Sequence, residues 1–216
     1  MTISLSDAGK RYNRDWIFRH FNYTFEERQS YAIIGPNGSG KSTLLQVLSG
    51  GMMLNEGKIE FRTSNKEQKS EEVYQQVSIC APYLELIEEM TLKEFLDFHC
   101  GFKPFLPGIT TESVIAMLGL GKAVNKQIRF YSSGMKQRVK LGQCIFSDTP
   151  IILLDEPCTN LDAAGISLYH SLITDYCKDR LVIVSSNDEV EYKFCEMKIE
   201  SLIRAKALEE QRSIQH

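Results

Sequence analysis

Long hydrophobic runs are missing from this chain of 216 residues. The longest uninterrupted stretches of Val, Ile and Leu, Ile151–Leu154 and Leu181–Val184, are four residues each. A bilayer-spanning helix takes about 20 apolar residues, so the chain is not expected to cross a membrane by itself. An excess of one charge is missing too. Lys plus Arg number 25 and Asp plus Glu 28, a formal net charge of −3. That balance gives no bulk attraction to nucleic acid or anionic lipid, so phosphate binding must come from a local site. The N-terminal residues, with Asp7 among polar neighbours, show no apolar stretch of a secretory signal. The six cysteines lack metal-ligand spacing: the closest pair, Cys144 and Cys158, lies fourteen residues apart. They read as reduced thiols of a cytosolic protein. His20, His99, His170 and His216 are scattered and suggest no metal centre.

What is present is an alternation of strand and helix patterns. Ile3 and Leu5 alternate with polar neighbours, as do Phe21, Tyr23 and Phe25, the period of half-exposed antiparallel strands. Tyr31–Ile34 is a short apolar run stopped by Gly35-Pro36, and Lys41–Leu48 then reads as a helix with Leu44, Leu45 and Leu48 on one face. Gly57–Phe61 reads as another strand. From Thr91 to Ser147 the pattern is mostly helical. Thr91 and Glu94 form a capping box, Thr111–Leu118 is a second helix, and Ser133–Phe146 a third. Ile151–Leu154 and Leu181–Val184 are continuous aliphatic strands, as in a parallel sheet covered on both faces, with a helix near Ala163–Cys177 between them. The polar tail after Ile203 reads as a solvated helix. The order predicts an α/β sheet with an antiparallel β subdomain and an inserted helical subdomain.

Gly35-Pro36-Asn37-Gly38-Ser39-Gly40-Lys41-Ser42-Thr43 fits G-x-x-x-x-G-K-[ST], following a predicted strand and opening a predicted helix. Gly38 and Gly40 let the backbone turn its N–H groups around a phosphate, and the helix adds its positive end. Lys41 supplies a point charge to the β- and γ-phosphates, and Ser42 a hydroxyl to Mg²⁺. The second half of such a site is an acid at a strand end. Ile151–Leu154 delivers Asp155 to the carboxyl edge of the sheet, where ligands of open α/β folds bind. Asp155 is the candidate Mg²⁺ residue, and Glu156 the candidate general base for the attacking water.

Tyr131-Ser132-Ser133-Gly134-Met135-Lys136-Gln137-Arg138 resembles the signature sequence of ATP-binding cassette (ABC) ATPases, and the resemblance covers roughly residues 1–200. It implies a single cassette domain over residues 1–216, a P-loop NTPase core with a helical subdomain inserted at about 84–147. It further implies that Tyr12 stacks on adenine, that Asn160-Leu161-Asp162 is the D-loop, and that Ser185-Ser186-Asn187-Asp188 is the switch loop. Two cassettes, as a homodimer or heterodimer, would pack head to tail. Each ATP would then lie between one phosphate loop and the other chain's Ser132-Ser133-Gly134, a helix N-terminus suited to an anion.

Two positions depart from the family pattern. Tyr83 stands where a Gln is usual, so metal coordination is not carried over to it. Asn187 stands where the switch histidine belongs, and an amide donates a hydrogen bond but carries no proton. The resemblance implies an ATPase using ATP and Mg²⁺ and powering a separate transmembrane permease, with no nucleic-acid partner, located in the cytoplasm at the inner face of the cell membrane. The Ser-Ser-Gly-Met form is similar to that of compact exporter cassettes. The alternative is a weakly hydrolysing ATP-gated module, or the degenerate half of a heterodimeric pair. Phe95, Phe98, Phe102 and Phe105 read as core packing, or else as a groove for the permease.

Overall fold

The computed structural model describes residues 1–63, 66–68 and 70–200. The tail after Ile203 lies outside the described residues.

The chain opens with the long strands β1 (Thr2–Tyr12) and β2 (Asp15–Phe25), then β3 (Ser30–Ile33) and helix α1 (Lys41–Leu48). Strands β4 (Glu56–Thr63), β5 (Lys66–Glu67) and β6 (Val77–Cys80) follow, then the helices α2 (Leu92–Cys100), α3 (Thr111–Met117) and α4 (Ser133–Phe146). The last part holds β7 (Ile151–Asp155), α5 (Ala163–Tyr176), β8 (Leu181–Ser185), the one-turn α6 (Glu189–Tyr192) and β9 (Met197–Ile199). Two sheets result. One is antiparallel, in the order β2-β1-β4-β5. The other is parallel, in the order β6-β7-β8-β3-β9. This is the expected α/β arrangement with an antiparallel sheet beside the parallel one.

The aliphatic strands show why the parallel sheet is central. Along β7, Ile151 and Leu153 enter one core while Ile152 and Leu154 enter the other. β8 divides in the same way, with Leu181 and Ile183 on one side and Val182 and Val184 on the other. Burying each such side chain contributes about 1.5–3 kcal/mol, so both faces must be covered. On one face α1 fills the space beneath the antiparallel sheet: its Leu44, Leu45, Val47 and Leu48 share a core with Ile3, Phe18 and Phe25. The other face carries α4 and α5 through Leu141, Ile145, Phe146, Tyr169 and Leu172. The same core continues into the helical region through Leu92, Phe95, Leu96 and Val114.

Helix α2 starts where its caps direct it. The Thr91 side chain accepts the Glu94 N–H, and the Glu94 carboxylate accepts the Thr91 N–H at 2.8 Å. The aromatic run divides. Phe95 and Phe105 are buried, but Phe98 and Phe102 are 46% and 72% exposed and meet edge to face at 5.0 Å. The buried stripe of α2 is Leu92, Phe95 and Leu96; Phe98 falls outside it and Phe102 follows the helix, so only half of the run is core.

Candidate functional site

The carboxyl ends of β3, β7 and β8 meet at one edge of the parallel sheet. β3 hands the chain to the loop 35–40, where Gly38 and Gly40 take the left-handed backbone this path needs, with φ of 79° and 95°. Gly40 is the N-cap of α1 and provides no side-chain cap, so the first N–H groups of that helix are not satisfied by one. Lys41 is buried, and its Nζ arcs back to the carbonyls of Gly35 and Pro36 at 2.6 and 3.2 Å. Ser42 is exposed beside it, and Thr43 half-buried.

Asp155 is the last residue of β7, buried and paired in register with Ser185 of β8. Glu156 follows with φ of 45°, a left-handed backbone at a residue with a side chain, and its N–H donates to Ser185 O at 2.9 Å. Asn187 bridges to the phosphate loop at both ends of its amide. Nδ2 donates to Asn37 Oδ1 at 3.0 Å, and Oδ1 accepts the Gly35 N–H at 3.3 Å. Residues 35–43, Asp155, Glu156 and Asn187 therefore form one cluster. Among the described residues, four buried side-chain polar atoms lack a hydrogen-bond partner. Two of them lie in this cluster, Ser39 Oγ in the phosphate loop and Ser185 Oγ beside Asp155. Buried hydroxyls of this kind call for a polar ligand. With the Ser42 hydroxyl and the Asp155 carboxylate they make an all-oxygen donor set, which fits a hard divalent cation that also takes phosphate oxygens and water.

The signature residues build a separate hollow of about 490 Å³, lined by Ser132, Ser133, Gly134, Arg138, Asn160 and Asp162 among others, and by no residue of the phosphate loop. Ser132 caps α4, its hydroxyl accepting the Met135 N–H at 3.2 Å. Gly134 packs so closely that an added Cβ would lie 2.9 Å from Asn160 O. Asp162 caps α5, accepting the Gly165 N–H at 2.8 Å, and pairs with Arg138 Nη2 at 3.1 Å. The Gly165 N–H, with the Arg138 guanidinium beside it, holds the Asp162 carboxyl below the ordinary range.

Tyr12 ends β1, 47% exposed, with its hydroxyl 3.3 Å from Met52 Sδ and Lys10 Nζ over its ring at 5.7 Å. The hairpin residue that touches the phosphate loop is Ile17, whose Cγ2 a Cβ on Gly40 would strike. Tyr83 reaches the Gln46 side chain of α1. Tyr83 is 43% exposed, and partial burial raises its hydroxyl to about 12 against the lowering effect of the Gln46 hydrogen bond.

Two residues to which the sequence reading assigns no role of their own are buried near Glu156. Gln137 and Glu191 are 4% and 5% exposed, and burial raises the Glu191 carboxyl above the usual range. Glu191 lies in the stretch Asp188-Glu189-Val190-Glu191, whose local pattern carries no signal of burial.

Comparisons with known proteins find a matching family model, relatives and solved structures. The family model described as ABC transporter matches residues 18–159. The chain is 27% identical over 193 residues to the uncharacterised ABC transporter ATP-binding protein YhcH of Bacillus subtilis, covering 86% of this chain but only 61% of that protein. It is 27% identical to the lantibiotic transport ATP-binding protein SrtF of Streptococcus pyogenes, covering 88% of this chain and 82% of SrtF. In fold it resembles a bacterial ABC transporter cassette solved as a dimer, with a TM-score of 0.76 at 20% identity, covering 92% of this chain and 94% of that one. The same cassette has been solved as a dimer bound to ADP and Pi.

Proposed function

The chain belongs to the ABC transporter family, and on that premise we propose that it hydrolyses ATP as one half of a cassette dimer, driving a separate transmembrane permease in the export direction. The observation that carries the reading is the cluster at the sheet edge. The phosphate loop, Asp155, Glu156 and Asn187 converge there around the unpartnered hydroxyls of Ser39 and Ser185.

In this reading the N–H groups of residues 38–43 hold the phosphates at the positive end of α1, and Lys41 exchanges its carbonyl partners for β- and γ-phosphate oxygens. Ser42 and Asp155 would hold Mg²⁺, which neutralises charge on the phosphates when bound. Glu156 takes the proton of the attacking water as its oxygen bonds to the γ-phosphorus, and the bond to the bridging oxygen breaks to release ADP. Asn187 keeps the switch loop against the phosphate loop. Tyr12 stacks on the base. The hollow at Ser132–Gly134 is built apart from the phosphate loop, which supports a site completed head to tail by a second cassette, with Asp162 at that interface. No helix among the described residues is long and apolar enough to cross a membrane, which suits a subunit held at the inner face of the membrane by its permease.

Steady-state hydrolysis by the purified chain tests this. Turnover is expected with Mg²⁺ and is expected to vanish in excess EDTA. Glu156→Gln should keep ATP binding, elute as a dimer with ATP, and lose about 10²-fold or more in turnover; an active, monomeric variant would sink the base assignment. A second reading, an ATP-operated gate with little hydrolysis, is favoured by the engagement of both ends of the Asn187 amide and by Tyr83. Under it the unsubstituted chain dimerises with ATP yet turns over no faster than Glu156→Gln.

A further inference from the structure

The peptide unit between Pro157 and Cys158 is gripped on both sides. Its carbonyl accepts from Gln137 Nε2 at 2.7 Å, and its N–H donates to Glu191 Oε1 at 2.6 Å. Both gripping side chains are buried. Desolvating a carboxylate is unfavourable unless hydrogen bonds fix it in place, and here it is held by the Cys158 N–H and by the Ser186 side chain of the switch loop. That peptide lies one residue beyond Glu156, whose φ of 45° is a conformation that persists only where the surroundings enforce it.

The two grips come from different parts of the site. Gln137 sits on α4, three residues past Gly134. Glu191 sits on α6, four residues past Asn187, whose amide holds Gly35 and Asn37 of the phosphate loop. The Tyr169 hydroxyl fixes α6 from behind by donating to Glu191 O at 2.7 Å. A row of hydrogen bonds thus runs from the phosphate loop through the switch loop and the 157–158 peptide to the signature helix.

We infer that Gln137 and Glu191 are positioning residues that clamp the Pro157–Cys158 peptide, aiming the Glu156 carboxylate and tying its position to both the switch loop and the signature helix. The inference rests on the reading of Glu156 as the base. Neither residue touches substrate; each acts through the peptide it holds.

The test uses the full chain, with kcat and KM for ATP, binding of a fluorescent ATP analogue, and melting temperature measured together. Glu191→Leu and Gln137→Leu should each lower kcat about tenfold or more with little change in KM, the split expected of a misplaced catalytic group. Glu191→Gln, which keeps an oxygen for the Cys158 N–H, should recover most of that loss. The double Leu variant should lose no more than the worse single one, because both act on one peptide. Should the Leu variants fail to fold, Gln137→Glu serves instead. It keeps the size of the side chain but turns an acceptor toward the Pro157 carbonyl, and should slow kcat likewise. A folded variant of either position with unaltered kcat, losses that add in the double variant, or kcat and KM changing in proportion would overturn the clamp. No turnover in the unsubstituted chain would overturn the hydrolase reading itself, and the clamp with it.

Discussion

The molecule presents two helix N-termini suited to an anion, and they are built differently. Helix α1 begins at Gly40, which gives its first turn no side-chain cap. Helix α4 begins at Ser132, whose hydroxyl already satisfies the Met135 N–H. A helix start without a side-chain cap keeps more of its donors for a ligand, and a capped start keeps its shape without one. The glycines divide in the same way. Gly40 is required by backbone conformation, at φ of 95°; Gly134 is helical, and is required by the closeness of Asn160 O. Under the proposed function this would leave the phosphate loop open to a ligand and the signature preformed for a partner's nucleotide.

Three substitutions sharpen or break that contrast. Gly40→Ala should be the most damaging, since it forces a left-handed Ala whose Cβ runs into Ile17. Destabilisation of about 2 kcal/mol or more, with at least about a tenfold loss of ATP affinity, is expected in thermal melts and nucleotide titration. Gly134→Ala should act one step later. It displaces the Asn160 backbone, so ATP-dependent dimerisation followed by sedimentation should weaken while the isolated chain still binds ATP. A loss of nucleotide affinity in the monomer would break the division of roles. Ser132→Ala should be mildest, removing an N-cap worth about 1 kcal/mol and lowering Tm by about 3 °C in a chain of this size.

Where chemistry is local, the sequence was enough. The ends of α1 and α4, the capping box of Thr91 and Glu94, and the aliphatic strands stand where glycine, caps and runs of Ile, Leu and Val direct them. So does the clustering of Lys41, Asp155 and Asn187, because both motifs end strands of one parallel sheet. What escaped the sequence depends on distant partners. β9 is three residues long and exists by pairing with β3. Gln137 lies inside the signature stretch and Glu191 just past the switch loop, but nothing local shows that the fold brings Pro157 and Cys158 between them. Phe98 and Phe102 carry the same hydrophobicity as Phe95 and Phe105, and only the packed face of α2 separates them.

The place of β3 in the sheet has a consequence for how the protein comes into being. Among the described residues, the strand that carries the phosphate loop pairs only with β8 and β9, which begin at Leu181 and Met197. During synthesis it waits, without a strand neighbour, until nearly the whole described chain has left the ribosome. Contacts so distant in sequence form slowly, because a long loop must close first. The proposed nucleotide site is therefore expected to be among the last parts to assemble.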